Sequence, residues 1–273
     1  MKNTEEALNS LQNCRSLTSK LFVQRGVENV MSYHGRTTQG RSYFLISNYE
    51  PATVWLFLGY FNVAAASQSA SEDPETGQPS KSAYVTNMRT NQKSLRLLLA
   101  QLLEGRPKKD LITVKRNIKQ AALTAFLALR PRLGKPKPSF SIFGFDFLVQ
   151  NDLNVKVLET NCNCELFINE EHHGKQRVAI STHLVTGAMD IVIASKLNPP
   201  AFKSLLESYV KENTDNGDRF RSDEESVGTD LSKSEPHKSW ELLYSEAVEP
   251  TFSIMNLEQD CVKMDEAETA ETA

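Results

Sequence analysis

The chain has 273 residues, 40% of them hydrophobic and 24% charged, which provides for a real hydrophobic core and excludes collagen-like, coiled-coil and fully disordered chains. The net charge of -3 hides a split, since residues 211–273 hold 17 acidic against 6 basic residues and the rest of the chain is correspondingly basic. A basic body attracts an anionic partner, and an acidic tail masks part of that attraction. Four scattered cysteines, Cys14, Cys162, Cys164 and Cys261, do not make a disulfide framework, so a reducing compartment is expected. The opening MKNTEEALNS places acids where an export signal needs an apolar run, and no secretory signal is expected. The most apolar stretch, 52–66, is broken by Gly59 and Asn62 and is shorter than the roughly 20 residues of a membrane span.

In chain order, the spacing of Ala7, Leu8, Leu11, Leu17, Leu21 and Phe22 predicts one or two short helices before residue 22. Residues 42–47 and 53–65 are rich in aromatic and β-branched side chains, with turn chemistry at 48–51 and at Gly59, and read as antiparallel strands. Residues 67–82, SQSASEDPETGQPSKS, have almost nothing apolar to offset their ordering entropy and are expected to form a mobile loop. Leu95, Leu98, Leu99, Leu102 and Leu103 recur at helical spacing, which predicts a helix over 92–104 ending at Gly105. Asp110 is placed to cap a second helix, whose stripe from Leu111 through Val114, Ile118, Ala122, Phe126 and Leu129 stops before Pro131. Residues 139–150 and 153–160 read as a hairpin turning at Asn151 and Asp152, and 178–195 as an apolar helix, followed by a further helix over 201–211. The acidic tail, 211–273, is expected to be largely disordered, with Trp240, Leu242, Leu243 and Tyr244 able to form a short docking element.

The chemistry concentrates in FSIFGFDFLVQNDLNVKVLETNCN. If Gln150 pairs with Leu153, Asp146 faces Val157 and lies diagonal to Glu159; a loop two residues longer puts Asp146 opposite Glu159. Either register leaves both on one face, and Asn161, two positions on, joins them. Two facing carboxylates repel and call for a cation, and hard oxygen ligands of this kind suit Mg2+ carried with substrate phosphates. The plainer alternative is a solvated hairpin edge with ordinary surface acids.

The same string resembles the metal-binding end of the ATP-grasp domain in the tubulin-tyrosine ligase family, where a GFD precedes an LxExN element. Three weaker segments follow in family order: FVQRGVEN at 22–29, GRTTQGRSYFLIS at 35–47, which is similar to the family's GRKFDxRxYxL, and YVTN at 84–87, which is similar to HLTN. The resemblance implies an α+β fold, an incomplete ATP-grasp-like domain over 22–210 with an antiparallel sheet and packed helices, preceded by a helical segment over 1–21. It implies ATP and Mg2+ as cofactors, Asp146, Glu159 and Asn161 as metal ligands, Gln24, Thr86 and Asn87 on the nucleotide, and Arg41 facing phosphate or acceptor. It further implies ATP-dependent ligation of an amino acid (tyrosine, glutamate or glycine) to tubulin through an acyl phosphate, in the cytoplasm and with the cytoskeleton. The partners would be the acidic tubulin tail and a free amino acid, with no nucleic acid and no membrane.

The sequence departs from that pattern in several places. Thr37, Thr38 and Gln39 stand where the family has Lys, Phe and Asp, and Tyr84 where it has His. Only some 20 residues precede Phe22, where the family places a further domain and the front half of the nucleotide clamp, and no GxxxxGK loop occurs. Either the chain is a fragment of a longer product, or it is a reduced relative that binds nucleotide and acidic tails without efficient turnover, which is the alternative expectation; an interaction domain without nucleotide is a third. Cys162 and Cys164 beside His172 and His173 lack the usual Cys-x2-4-Cys spacing of a zinc site and read as strand-end side chains. Lys108, Lys109, Lys115, Arg116 and Lys119 form a basic helix face suited to an acidic peptide.

Overall fold

A computed structural model describes residues 26–67, 83, 86, 95–134, 140–164, 166, 175–200, 202–204, 206–207 and 239–247. The helices expected before residue 22, nearly all of the 67–82 loop and most of the acidic tail lie outside these residues. The described strands are β1 (Ser32–Tyr33), β2 (Arg36–Tyr49), β3 (Ala52–Val63), β4 (Leu95–Leu97), β5 (Ser141–Val149), β6 (Val155–Asn161) and β7 (Glu241–Ser245). The helices are α1 (Leu99–Leu102), α2 (Lys108–Leu129) and α3 (Lys175–Leu197). All strand pairs are antiparallel, in the order β4-β3-β2-β5-β6, with β1 added on β2 and β7 on β3.

The central strands carry unbroken apolar runs because both sheet faces are covered. Phe44, Ile46, Val54, Leu56, Phe145 and Phe147 meet Val114, Ile118, Ala122 and Phe126 of α2 on one face. Tyr43, Leu45, Trp55 and Phe57 meet Ile180, Leu184, Ala188 and Ile191 of α3 on the other. Among the described residues α3 is the one helix long and apolar enough, over Arg177–Leu197, to cross a membrane, but its inner side is built into this second core.

The turn expected at 48–51 is present, with Tyr49 opposite Ala52 and a cis bond at Glu50-Pro51. The turn expected at Gly59 is instead a bulge inside β3: Arg41 pairs with Tyr60 but Tyr43 with Phe57, so β3 carries one extra residue. Gly59 has φ +66, and a Cβ there would lie 2.0 Å from the Arg41 carbonyl oxygen. The extra residue turns Tyr60 onto the face of Phe57 and Trp55, the face that carries Arg41. Gly59→Ala is accordingly expected to lower stability by about 2–3 kcal/mol in urea unfolding, and a loss under about 0.5 kcal/mol would contradict this reading of the bulge.

The leucines of 92–104 do not form one helix. Leu95–Leu97 pairs with β3, Phe61 opposite Leu97, and only Leu99–Leu102 is helical, while Gly105 at φ +82 ends the segment as expected. Edge pairing with β3 and burial of Arg96 over the Tyr60 ring, 4.5 Å to its centroid, override the local periodicity. The second helix starts two residues before Asp110, after Pro107. Asp110 is thus not the cap but a first-turn acid, suited to the helix dipole and 3.4 Å from Arg106.

Within the tail, the docking element expected at Trp240–Tyr244 is present. Trp240 is fully buried, donates from Nε1 to the Leu184 carbonyl at 3.3 Å, and leads into β7, the expected docking element. Two tail acids are tied to α2 and the turn after it, Glu241 to Lys119 and Glu246 to Arg130 at 3.0 Å. Part of the basic face is therefore used by the chain's own acids.

Candidate functional site

The β5–β6 hairpin closes through a loop longer than two residues: Gln150 N–H donates to the Asn154 carbonyl at 2.8 Å, and Leu153 takes φ +69. From this loop the register starts at Val149 opposite Val155 and Phe147 opposite Val157, which, if continued, would set Asp146 opposite Leu158. A bulge at Leu158 adds one residue to β6 and brings Glu159 opposite Asp146 and Asn161 opposite Gly144. The one-face placement expected from period 2 is present, but the bulge produces it.

Phe145 and Phe147 enter the first core, so Asp146 between them points to the opposite face, where the α3-filled core gives way to polar groups. On β2, Arg41 pairs directly with Asp146. Its guanidinium holds both carboxylate oxygens: Nε donates to Oδ1, and Nη2 donates to Oδ2 at 2.7 Å. The Asp146 side chain is 3% exposed and that of Arg41 19%. Asn161 Nδ2 donates to Glu159 Oε1 at 3.0 Å and lies 3.5 Å from Asp146 Oδ2. Gly144 makes room for this arrangement, since a Cβ there would come to 3.1 Å of Arg41 Nη1 and 3.3 Å of Cys164 Cβ.

Burial pushes the Asp146 carboxyl above the usual aspartate range, Arg41 pulls it back through hydrogen bonds and charge, and Glu159 adds to the rise. Burial disfavours the charged Arg41, but the bonds to Asp146 outweigh it and hold the guanidinium charged. Burial likewise lifts the Tyr43 phenol, aided by its neighbour and hydrogen-bond partner Tyr60.

Four of the expected site residues, Arg41, Asp146, Glu159 and Asn161, come together. Thr86 is buried and donates from Oγ1 to Gln39 Oε1 at 2.6 Å, one position pair along β2 from Arg41, while Gln24 and Asn87 lie outside the described residues. Thr37, on the same side of β2, donates to the Ala83 carbonyl at 2.9 Å. Of the three positions that depart from the KFDxR pattern, Thr37 and Gln39 thus bind Ala83 and Thr86 of the chain itself, and Thr38 donates to the Met31 carbonyl at 2.6 Å. Sequence reading does not single out Tyr60 and Arg96, because only the β3 bulge puts Tyr60 opposite Arg41 and only the short β4 brings Arg96 over the Tyr60 ring; Gly59 was the available signal, whereas Tyr43 shares the face of Arg41 by the period of β2. Cys162 is exposed and Cys164 half-buried with its thiol near the Ile142 carbonyl, and no group of three His, Cys, Asp or Glu side chains suited to a metal occurs among the described residues.

An antiparallel sheet with helices on both faces, carrying a carboxylate pair, an amide and an arginine on adjacent strands, defines a partial ATP-grasp-like domain. The model of the tubulin-tyrosine ligase family matches residues 5–197, and the chain belongs to this family of ATP-dependent ligases with ATP-grasp-type nucleotide binding. No individual curated protein matches the chain significantly.

The donor set fits a magnesium ion in kind: two carboxylates and one amide, all hard oxygen ligands, on facing positions. The Asn161 amide, whose oxygen and nitrogen exchange places by a half-turn of its terminal torsion, offers either a donor or an oxygen ligand.

Proposed function

We propose that the chain binds ATP with Mg2+ on the sheet face of Asp146 and ligates an amino acid to the acidic tail of tubulin, working in the cytoplasm on the cytoskeleton. The observation that carries this reading is the convergence of Asp146, Glu159 and Asn161 beside Arg41, in a chain of this family. Asp146, Glu159 and Asn161 would hold the magnesium, which when bound neutralises phosphate charge. In the ligation a carboxylate oxygen attacks the γ-phosphorus and ADP leaves; the amine nitrogen then attacks the acyl carbon, phosphate leaves, and the amine proton passes to solvent. Arg41 supplies planar paired donors for an anionic oxygen pair and steadies the phosphate or acyl phosphate. Tyr43 and Tyr60 limit water behind it, which strengthens each charge interaction. Thr86 and the 22–29 and 84–87 segments would meet the nucleotide.

A second reading, binding without efficient turnover, is favoured by Thr37 and Gln39, which place no charge at two positions and are hydrogen-bonded to Ala83 and Thr86. Losing one preorganised charge contact typically lowers a rate by roughly 100- to 1,000-fold. Calorimetry with ATP and Mg2+ tests the shared part: Glu159→Gln is expected to weaken binding at least about 10-fold, a change of about 1.4 kcal/mol. Equal affinity in both proteins, or no binding by either, would sink the site. Incorporation of labelled tyrosine, glutamate or glycine into tubulin then separates ligase from weak relative.

A further inference from the structure

Both oxygens of the Asp146 carboxylate are already taken, and by donors rather than by anything a cation could replace without rearrangement. Arg41 holds Oδ1 through Nε and Oδ2 through Nη2, and the side chain is 3% exposed, so water does not compete for it. Asn161 directs its NH2 between the two acids, 3.0 Å from Glu159 Oε1 and 3.5 Å from Asp146 Oδ2. Arg41 therefore acts as the internal counter-charge of Asp146, while Asn161 adds only a neutral N–H between that carboxylate and Glu159, which faces it across the bulged strands. A divalent cation that reached Asp146 while Arg41 stays would have to share oxygens already hydrogen-bonded to the guanidinium and stand beside its charge at the buried end of the site, although Glu159 opens to solvent.

Resting on the proposed metal site, we infer that the Arg41–Asp146 pair gates it: a divalent cation binds well only together with a phosphate-bearing anion that draws Arg41 off Asp146. The chain then takes a metal–nucleotide complex and refuses the free metal. Two features give Arg41 somewhere to go. Its side chain is 19% exposed, so it already reaches the open rim, and Gly144 beneath it has no Cβ to trap the guanidinium, whose Nη1 would stand 3.1 Å from one. Released, the same planar fork that grips a carboxylate fits a phosphate. Asn161 turns its amide in the same event and presents oxygen in place of NH2.

The test is isothermal titration calorimetry on the full 273-residue chain with Mg2+ alone, Mn2+ alone, and Mg2+ in the presence of saturating ADP, for wild type, Arg41→Gln, Arg41→Lys and Glu159→Gln. In wild type, ADP is expected to tighten Mg2+ binding at least about 10-fold, a coupling of about 1.4 kcal/mol. Arg41→Gln is expected to bind Mn2+ alone at least about 5-fold more tightly than wild type and to lose most of the ADP coupling. Arg41→Lys keeps the charge but not the two-pronged grip and should fall between; it also serves if Arg41→Gln does not fold, as judged by its thermal melt. Metal binding that Glu159→Gln abolishes but that both Arg41 substitutions leave unchanged or weaken would overturn the gate alone. No metal binding by any of the four proteins, with or without ADP, would overturn the metal site and the gate with it.

Discussion

Asp146→Leu is expected to lower stability by about 3–5 kcal/mol, while Arg41→Met/Asp146→Leu together should come within about 1 kcal/mol of wild type or exceed it. The single change leaves Arg41 charged, about four-fifths buried and without the carboxylate that holds it. The double change removes both desolvated charges and puts apolar groups next to Tyr43 and Tyr60, which are buried in the second core. Burial lifts the Asp146 carboxyl, with Glu159 adding to the rise, while Arg41 pulls it back; the guanidinium in turn stays charged because its bonds to Asp146 outweigh its own burial, so what the pair contributes to stability is set by two desolvated charges against one strong contact. Urea unfolding of the four members of the cycle gives the coupling energy. A double variant as unstable as Asp146→Leu alone would mean that the ion pair holds the fold, and not chiefly a site.

Trp240→Ala should be comparably damaging, at about 3–5 kcal/mol. Its ring is fully buried, lies 5.5 Å from Phe57 centroid to centroid, and hydrogen-bonds the Leu184 carbonyl of α3. One side chain thus joins β3, α3 and the strand that follows it, and its loss opens a cavity where the sheet and helix cannot both close in. Removal of residues 211–273 should for the same reason unfold the second core, since β7 and its Glu246–Arg130 and Glu241–Lys119 ties go with it. A Trp240→Ala protein within about 1 kcal/mol of wild type by urea unfolding would show that the β7 segment is not part of the fold's cooperative unit.

Local patterns identified much of this protein. The α2 stripe of Val114, Ile118, Ala122 and Phe126 is a one-dimensional signal, and it faces the sheet as its period requires. The aromatic runs of β2 and β3 and the hairpin of β5 and β6 were legible for the same reason, as were Arg41, Asp146, Glu159 and Asn161 through the family pattern. Four things were decided only by tertiary structure. Leu95–Leu97 left its helical period for a free edge of β3, and the place where the expected Trp240–Tyr244 element docks, along β3 and between Phe57 and Leu184, appears only in the assembled fold. The bulges at Gly59 and Leu158 set which side chains face Arg41, because one inserted residue moves every later side chain to the other face of a strand. The grip of Arg41 on Asp146 joins residues 105 positions apart, and neither residue's neighbours in sequence carry information on that distance. Periodicity reports what a segment buries, but pairing across strands depends on which edges remain open after the core has formed, and that is a property of the assembled sheet.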